Sequence, residues 1–77
     1  MKLKTFFLEA EGLRTRVQIE ELDASHHDYR CTILDDASVA HYNTRSFEMT
    51  PETPITPELK PLEPLKHAAE EYAALFM

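Results

Sequence analysis

Glycine is almost missing from this sequence: one residue in 77, at position 12. Phosphate loops and dinucleotide fingerprints need several glycines at fixed spacing, because backbone amides must approach the phosphates closely. With Gly12 alone the chain carries neither. Cysteine is as scarce. Cys31 has no second cysteine to pair with in the chain, and no Cys/His spacing reads as a structural zinc site. Tryptophan is absent. No apolar run reaches the roughly 20 residues of a membrane-spanning helix. Met1 to Leu8 begins like a secretory leader, but Glu9 and Glu11 end the apolar run at once, so no leader is expected. A single free thiol suits a reducing compartment, and a cytoplasmic location is expected.

Basic charge is also short. Eight Lys and Arg face fourteen Asp and Glu, for a net charge of −6. Residues 1–47 carry six basic and eight acidic groups (−2); residues 48–77 carry two and six (−4). A nucleic-acid partner calls for a basic surface, which places nucleic acid second among the expected partners.

What is present is enough for one domain over residues 1–77. Hydrophobic residues make up 43% of the chain and aromatic ones 9%. The core is thin, since a chain of this size buries roughly 60% of its unfolded surface. Small scaffolds usually rely on a disulfide, a metal or a second copy. With no disulfide or zinc pattern, a homodimer is the expected support. An unidentified protein partner is the further possibility.

The chain divides near Thr50. Residues 1–50 read as a sheet, residues 51–61 as a Pro-rich connector and residues 62–77 as a helix. Residues 2–10 form the first predicted strand, with either Phe6, Leu8 and Ala10 or Leu3, Thr5 and Phe7 facing inward. Glu11-Gly12 is a tight turn, with Gly12 free to take positive φ. In residues 13–22, Leu13, Thr15, Val17 and Ile19 alternate with Arg14, Arg16, Gln18 and Glu20, giving one buried and one wet face. So short a turn makes the pair an antiparallel hairpin. Asp23 to His27 is a polar connection, and Asp28 to Leu34 a third strand. Asp35 to Ser38 reads as a turn. Val39 to Met49 reads as a fourth strand, with a bulge or a hairpin turn at Asn43-Thr44; the bulge is preferred.

All five prolines lie between positions 51 and 64. They give a stiff crossover from sheet to helix, although Pro51, Pro54 and Pro57 also match P-x-x-P spacing. Thr56-Pro57-Glu58 suits the opening of one helical turn. From Leu62 onward, Leu62, Leu65, Ala69, Tyr72 and Phe76 form a narrow apolar seam at helical spacing.

Few constellations suggest chemistry. His26-His27-Asp28 offers metal-ligand types, but neighbours in an extended chain point apart, and the run reads as a solvated turn. His67 stands among Glu63, Glu70 and Glu71 on one helix; a di-metal site draws on several helices, so a surface salt network is expected. Cys31 reads as a core thiol, and Ser25 and Ser38 lack any nucleophile context. Neither catalytic activity nor a cofactor or metal is expected. Arg14, Arg16 and Arg30 fall on the wet face of neighbouring predicted strands. Lys2 and Lys4 lie near them. Together they make a candidate face for an anionic partner. Phe6 (with Phe7 as its alternative), Leu34, Tyr42, Tyr72 and Phe76 are the candidate interface residues, because large apolar groups left on a small surface usually mark a contact.

The expected architecture is α+β: a four-stranded antiparallel meander, a Pro-rich crossover and one C-terminal helix on one sheet face. The expected function is a non-catalytic protein–protein interaction module acting as a homodimer. The alternative is a small nucleic-acid-associated accessory or regulatory protein that binds through the basic sheet face.

Overall fold

The computed structural model describes residues 2–49 and 60–77. Four antiparallel strands form one open sheet in the order β1-β2-β3-β4: β1 (Leu3–Ala10), β2 (Leu13–Asp23), β3 (Asp28–Ile33) and β4 (Ser46–Met49). A short helix, α1 (Asp36–Tyr42), joins β3 to β4. The C-terminal helix α2 (Glu63–Phe76) follows a 3-10 turn at Lys60–Leu62. The α+β meander with one long helix is the architecture read from the sequence. Most of the Pro-rich connector, including the P-x-x-P run and Thr56-Pro57-Glu58, lies outside the described residues.

Two residues make the first turn. Glu11 and Gly12 have φ of 53° and 79°, the double positive φ of a type I′ hairpin. That turn sets Ala10 opposite Leu13, and so Leu8 opposite Thr15 and Phe6 opposite Val17. Cross-strand partners share a face. Phe6, Leu8 and Ala10 therefore point inward, beside Thr15, Val17 and Ile19. Glu11 has a Cβ and pays for its left-handed conformation. A Glu11→Asn variant, with a residue that tolerates this region, is expected to gain about 0.5–1 kcal/mol. Thermal unfolding checks this, with a rise in Tm of about 4–8 °C per kcal/mol. At Gly12 an added Cβ would meet no atom within 4 Å. Its cost there is purely conformational.

The segment Val39 to Met49 corrects the expectation of one long fourth strand. Residues 36–42 are helical, and only residues 46–49 pair with β3. Asp35, read as a turn residue, is the N-cap of α1: its carboxylate accepts the Ala37 N–H at 3.1 Å. Asp36 in the first turn suits the helix dipole. Ser38 and Tyr42, four apart, are both buried. Asn43 does adopt the left-handed conformation (φ 54°), but as the C-cap of α1 and not in a strand bulge. Among the described residues the irregularity in pairing lies in β2, between Glu21 and Asp23.

The core sits between the inner sheet face and α2. Leu8, Val17, Ile19, Cys31 and Ile33 are fully buried from the sheet, and Leu65 and Ala69 from the helix. Buried positions on α2 are Leu65, Ala69 and Ala73, spaced by four. The small side chains at 69 and 73 let the helix approach the strands closely. Tyr72, placed on the seam by sequence, is half-buried, and Phe76 is exposed. Lys2 and Lys4 close the far end. Their Nζ atoms donate to the carbonyls of Met77 (3.0 Å) and Phe76 (2.6 Å), meeting the negative pole of the helix. Two cations assigned to the basic stripe thus anchor α2.

Candidate interaction surface

The outer sheet face is built by the residues that alternate with the core. From β1 it carries Leu3, Thr5, Phe7 and Glu9; from β2, Arg14, Arg16, Gln18 and Glu20; from β3, Arg30 and Thr32. The three arginines do not gather. Arg30 stands opposite Glu20 and Glu48 on the flanking strands, and its guanidinium lies 3.7 Å from a carboxylate oxygen of each. Its charge is matched within the sheet. Six residues of strand separate Arg14 from Glu20, about 20 Å.

Arg14 and Arg16 lie together at the other end. Arg14 lies over the Phe7 ring, 4.5 Å from its centroid, in cation–π contact. Glu9 is its cross-strand partner, and Arg16 faces Phe7. This corner combines two guanidinium groups, an aromatic ring and one carboxylate.

The candidate interface residues take three different positions. Tyr42 is buried at 6% exposure in a single copy. Leu34 is half-buried beyond the end of β3. Phe6, Tyr72 and Phe76 form an aromatic cluster: Phe6 meets Tyr72 edge-on at 5.4 Å and Phe76 at 5.9 Å. Of the five, Phe76 alone is more than half exposed. Sequence reasoning passed over Leu3, held Phe7 only as the alternative to Phe6, and passed over Leu75. Their exposures are 54%, 54% and 68%, against 53% for Phe76. The type I′ turn was the available signal for Leu3 and Phe7, since it fixes which face of β1 is buried.

Leu3 and Phe7 stand on the edge strand β1, Phe76 lies 5.9 Å from Phe6 of that strand, and Leu75 follows Ala68 and Tyr72 by seven and three residues on one side of α2. Glu21 N–H donates to the Lys2 carbonyl at 2.8 Å. Bonding alternates along an antiparallel strand, so even-numbered residues of β1 bond β2. The N–H and C=O groups of Leu3, Thr5, Phe7 and Glu9 face away from the sheet. Among the described residues no strand pairs with this edge. A groove of about 440 Å³ runs along it, with Phe7, Glu9 and Arg14 on one side and Ala68, Glu71 and Tyr72 on the other.

The titratable clusters have structural partners. Asp23 closes the turn after β2. Its carboxylate accepts the Ser25 N–H (3.0 Å) and hydroxyl (2.7 Å), and lies 2.7 Å from His26 Nδ1. The Ser25 hydroxyl, and then His26, hold its pKa down at about 2. His27 is in the left-handed region at φ 53°. A carboxylate held low contributes stability above its unfolded pKa of about 3.9, and that contribution is lost as pH falls toward 2. Asp23→Asn is expected to flatten the acid limb of the stability curve between about pH 4 and 2, measured by urea unfolding across that range. On α2, His67 Nε2 lies 3.6 Å from Glu63, and Lys66 binds Glu70 at 2.7 Å. A second groove of about 530 Å³ brings Glu11, His41, Glu63 and His67 near Lys60. Among the described residues no three His, Cys, Asp or Glu side chains converge as a metal-binding set. Cys31 is fully buried, and burial pushes its thiol up to about 12.

Comparison with protein-family models, curated proteins and solved structures gives no match. Among the described residues, no helix is long and apolar enough to cross a membrane.

Proposed function

We propose that this chain is a small, non-catalytic protein–protein interaction module of the cytoplasm that works as a homodimer. One observation carries the reading: Leu3, Phe7, Leu75 and Phe76 are each more than half exposed, the first two on the edge strand β1 and the last two in the final turn of the helix packed against it. Water contact with four large apolar groups on so small a surface is costly, and association relieves it. The groups with reactive potential support the non-catalytic part. The Cys31 thiol is buried and held protonated, and the hydroxyls of Thr15 and Ser38 bind each other in the core. Light scattering tests the dimer at micromolar concentration. Twice the chain mass supports it, and a monomer throughout overturns it.

The Arg14–Arg16–Phe7 corner favours a second reading, an accessory protein that stacks on single-stranded nucleic acid. Retention on immobilised single-stranded DNA that falls steeply with salt supports this reading. Free passage at low salt overturns it. Glu9 beside Arg14 and the net charge of −6 place it second.

A further inference from the structure

We propose that β1 pairs antiparallel with β1 of a second copy, with Thr5 at the two-fold axis, to make one continuous eight-stranded sheet. The inference rests on the homodimer reading and specifies its geometry. The two sheet edges differ. β4 has four residues, whereas β1 has eight in unbroken register with β2. Short edges resist strand addition, and long regular ones invite it. Proteins often place lysines on an edge as a defence, but Lys2 and Lys4 are held by the carbonyls that end α2.

Charge selects the direction. The strand is basic at its start (Lys2, Lys4) and acidic at its end (Glu9, Glu11). Parallel pairing would set lysine beside lysine and glutamate beside glutamate. Antiparallel pairing keeps like charges at opposite ends of the shared edge, with the lysines on the helix side and Glu9 on the outer face.

Backbone geometry then limits the register. The free N–H and C=O groups belong to Leu3, Thr5, Phe7 and Glu9. A two-fold axis normal to the sheet keeps every side chain on its own face, so odd residues must meet odd residues. With the axis at Phe7, Thr5 meets Glu9 and Leu3 falls against the turn residue Glu11. With the axis at Phe6, Leu3 meets Glu9. Both leave Leu3 against a carboxylate. With the axis at Thr5, Leu3 meets Phe7 of the second copy twice over, and Thr5 meets Thr5, a favourable cross-strand pair.

The same axis suits the helices. Lys4 binds the Phe76 carbonyl, and the Phe76 ring lies 5.9 Å from Phe6. The end of α2 therefore stands over the residues flanking Thr5. Phe76 then approaches its counterpart across the axis on the helix side, while Leu3 and Phe7 of the two copies cover each other on the outer face. The groove along Phe7 and Glu9 leaves the edge accessible beside α2, with small Ala68 on the helix side.

Two variants test the geometry. In Thr5→Pro the lost N–H faces outward, where an edge strand tolerates proline. The expected result is loss of the dimer in light scattering with an unchanged far-UV circular dichroism spectrum. In Thr5→Cys, diamide oxidation is expected to link two copies through position 5, whereas Glu9→Cys stays unlinked. Buried Cys31 does not compete. Should Thr5→Pro unfold, the Thr5→Cys cross-link decides alone. A dimer that forms no link through position 5 overturns the strand pairing and leaves the homodimer reading standing. A wild-type chain that stays monomeric, with or without an extended peptide bound at the edge, overturns both.

Discussion

Leu65→Ala is expected to cost about 2–5 kcal/mol, the range for truncating a fully buried leucine. A domain of this length has about 4–12 kcal/mol in total, at about 0.05–0.15 kcal/mol per residue. The variant therefore loses much of its stability from one side chain. The buried seam of α2 explains why the loss concentrates there. Along that seam Leu65 is followed by Ala69 and Ala73, which bring the helix close but bury little area themselves. Leu62 and Leu65 are the large anchors near the helix start. Neighbouring alanines cannot move to fill the space a leucine leaves, so a cavity persists and adds to the transfer cost. Urea unfolding is expected to show a midpoint lower by roughly 2 M or more, with the slope unchanged. Glu71→Ala, exposed on the same helix, is the control, with a change within about 0.5 kcal/mol.

The parts of this fold that sequence revealed are those where one periodicity dominates. Thr15, Val17 and Ile19 alternate with charged and polar groups, and all three are fully buried. β1 was ambiguous because both of its faces carry large apolar residues. Its register was nevertheless implied by the two-residue turn, which forces Phe6 opposite Val17. α1 was hidden for a different reason. Seven residues give fewer than two turns, too few for helical periodicity, and Val39 and Tyr42 have strand propensity. The overlooked signal was Asp35 as a cap, with Ser38 and Tyr42 four apart on one face. For the candidate surface, alternation placed Arg14, Arg16 and Arg30 on a common face. Their separation was not visible. Arg30 meets carboxylates from residues 20 and 48, ten and eighteen positions away, and only strand order brings those together.

Ser38→Ala is expected to cost about 1–3 kcal/mol, although it removes a single oxygen. Ser38 Oγ lies 3.0 Å from Thr15 Oγ1, and both residues are fully buried. Ser38 also donates to the Asp35 carboxylate at 3.4 Å. Thr15 is then the donor to Ser38, so the chain of bonds runs from β2 through α1 to its cap. Removing the Ser38 hydroxyl leaves Thr15 Oγ1 in the core without that partner, and an unpaired buried hydroxyl bears its full desolvation cost. Thr15→Val removes the group that would be stranded. The double variant, Thr15→Val with Ser38→Ala, is therefore expected to be more stable than the sum of the singles predicts, with a coupling of about 1 kcal/mol. Strict additivity in urea unfolding would show that the bond carries no weight. One turn further along α1, Tyr42 behaves in the opposite sense. Among the described residues its buried phenol oxygen has no partner in hydrogen-bond geometry; burial raises its pKa, and Thr15, near enough to act on the phenol without making that bond, offsets part of the rise. Tyr42→Phe removes that unpaired oxygen and keeps the ring in place. The expected gain is about 1 kcal/mol. Two oxygens lost from one short helix thus shift stability in opposite directions, according to whether each has a partner.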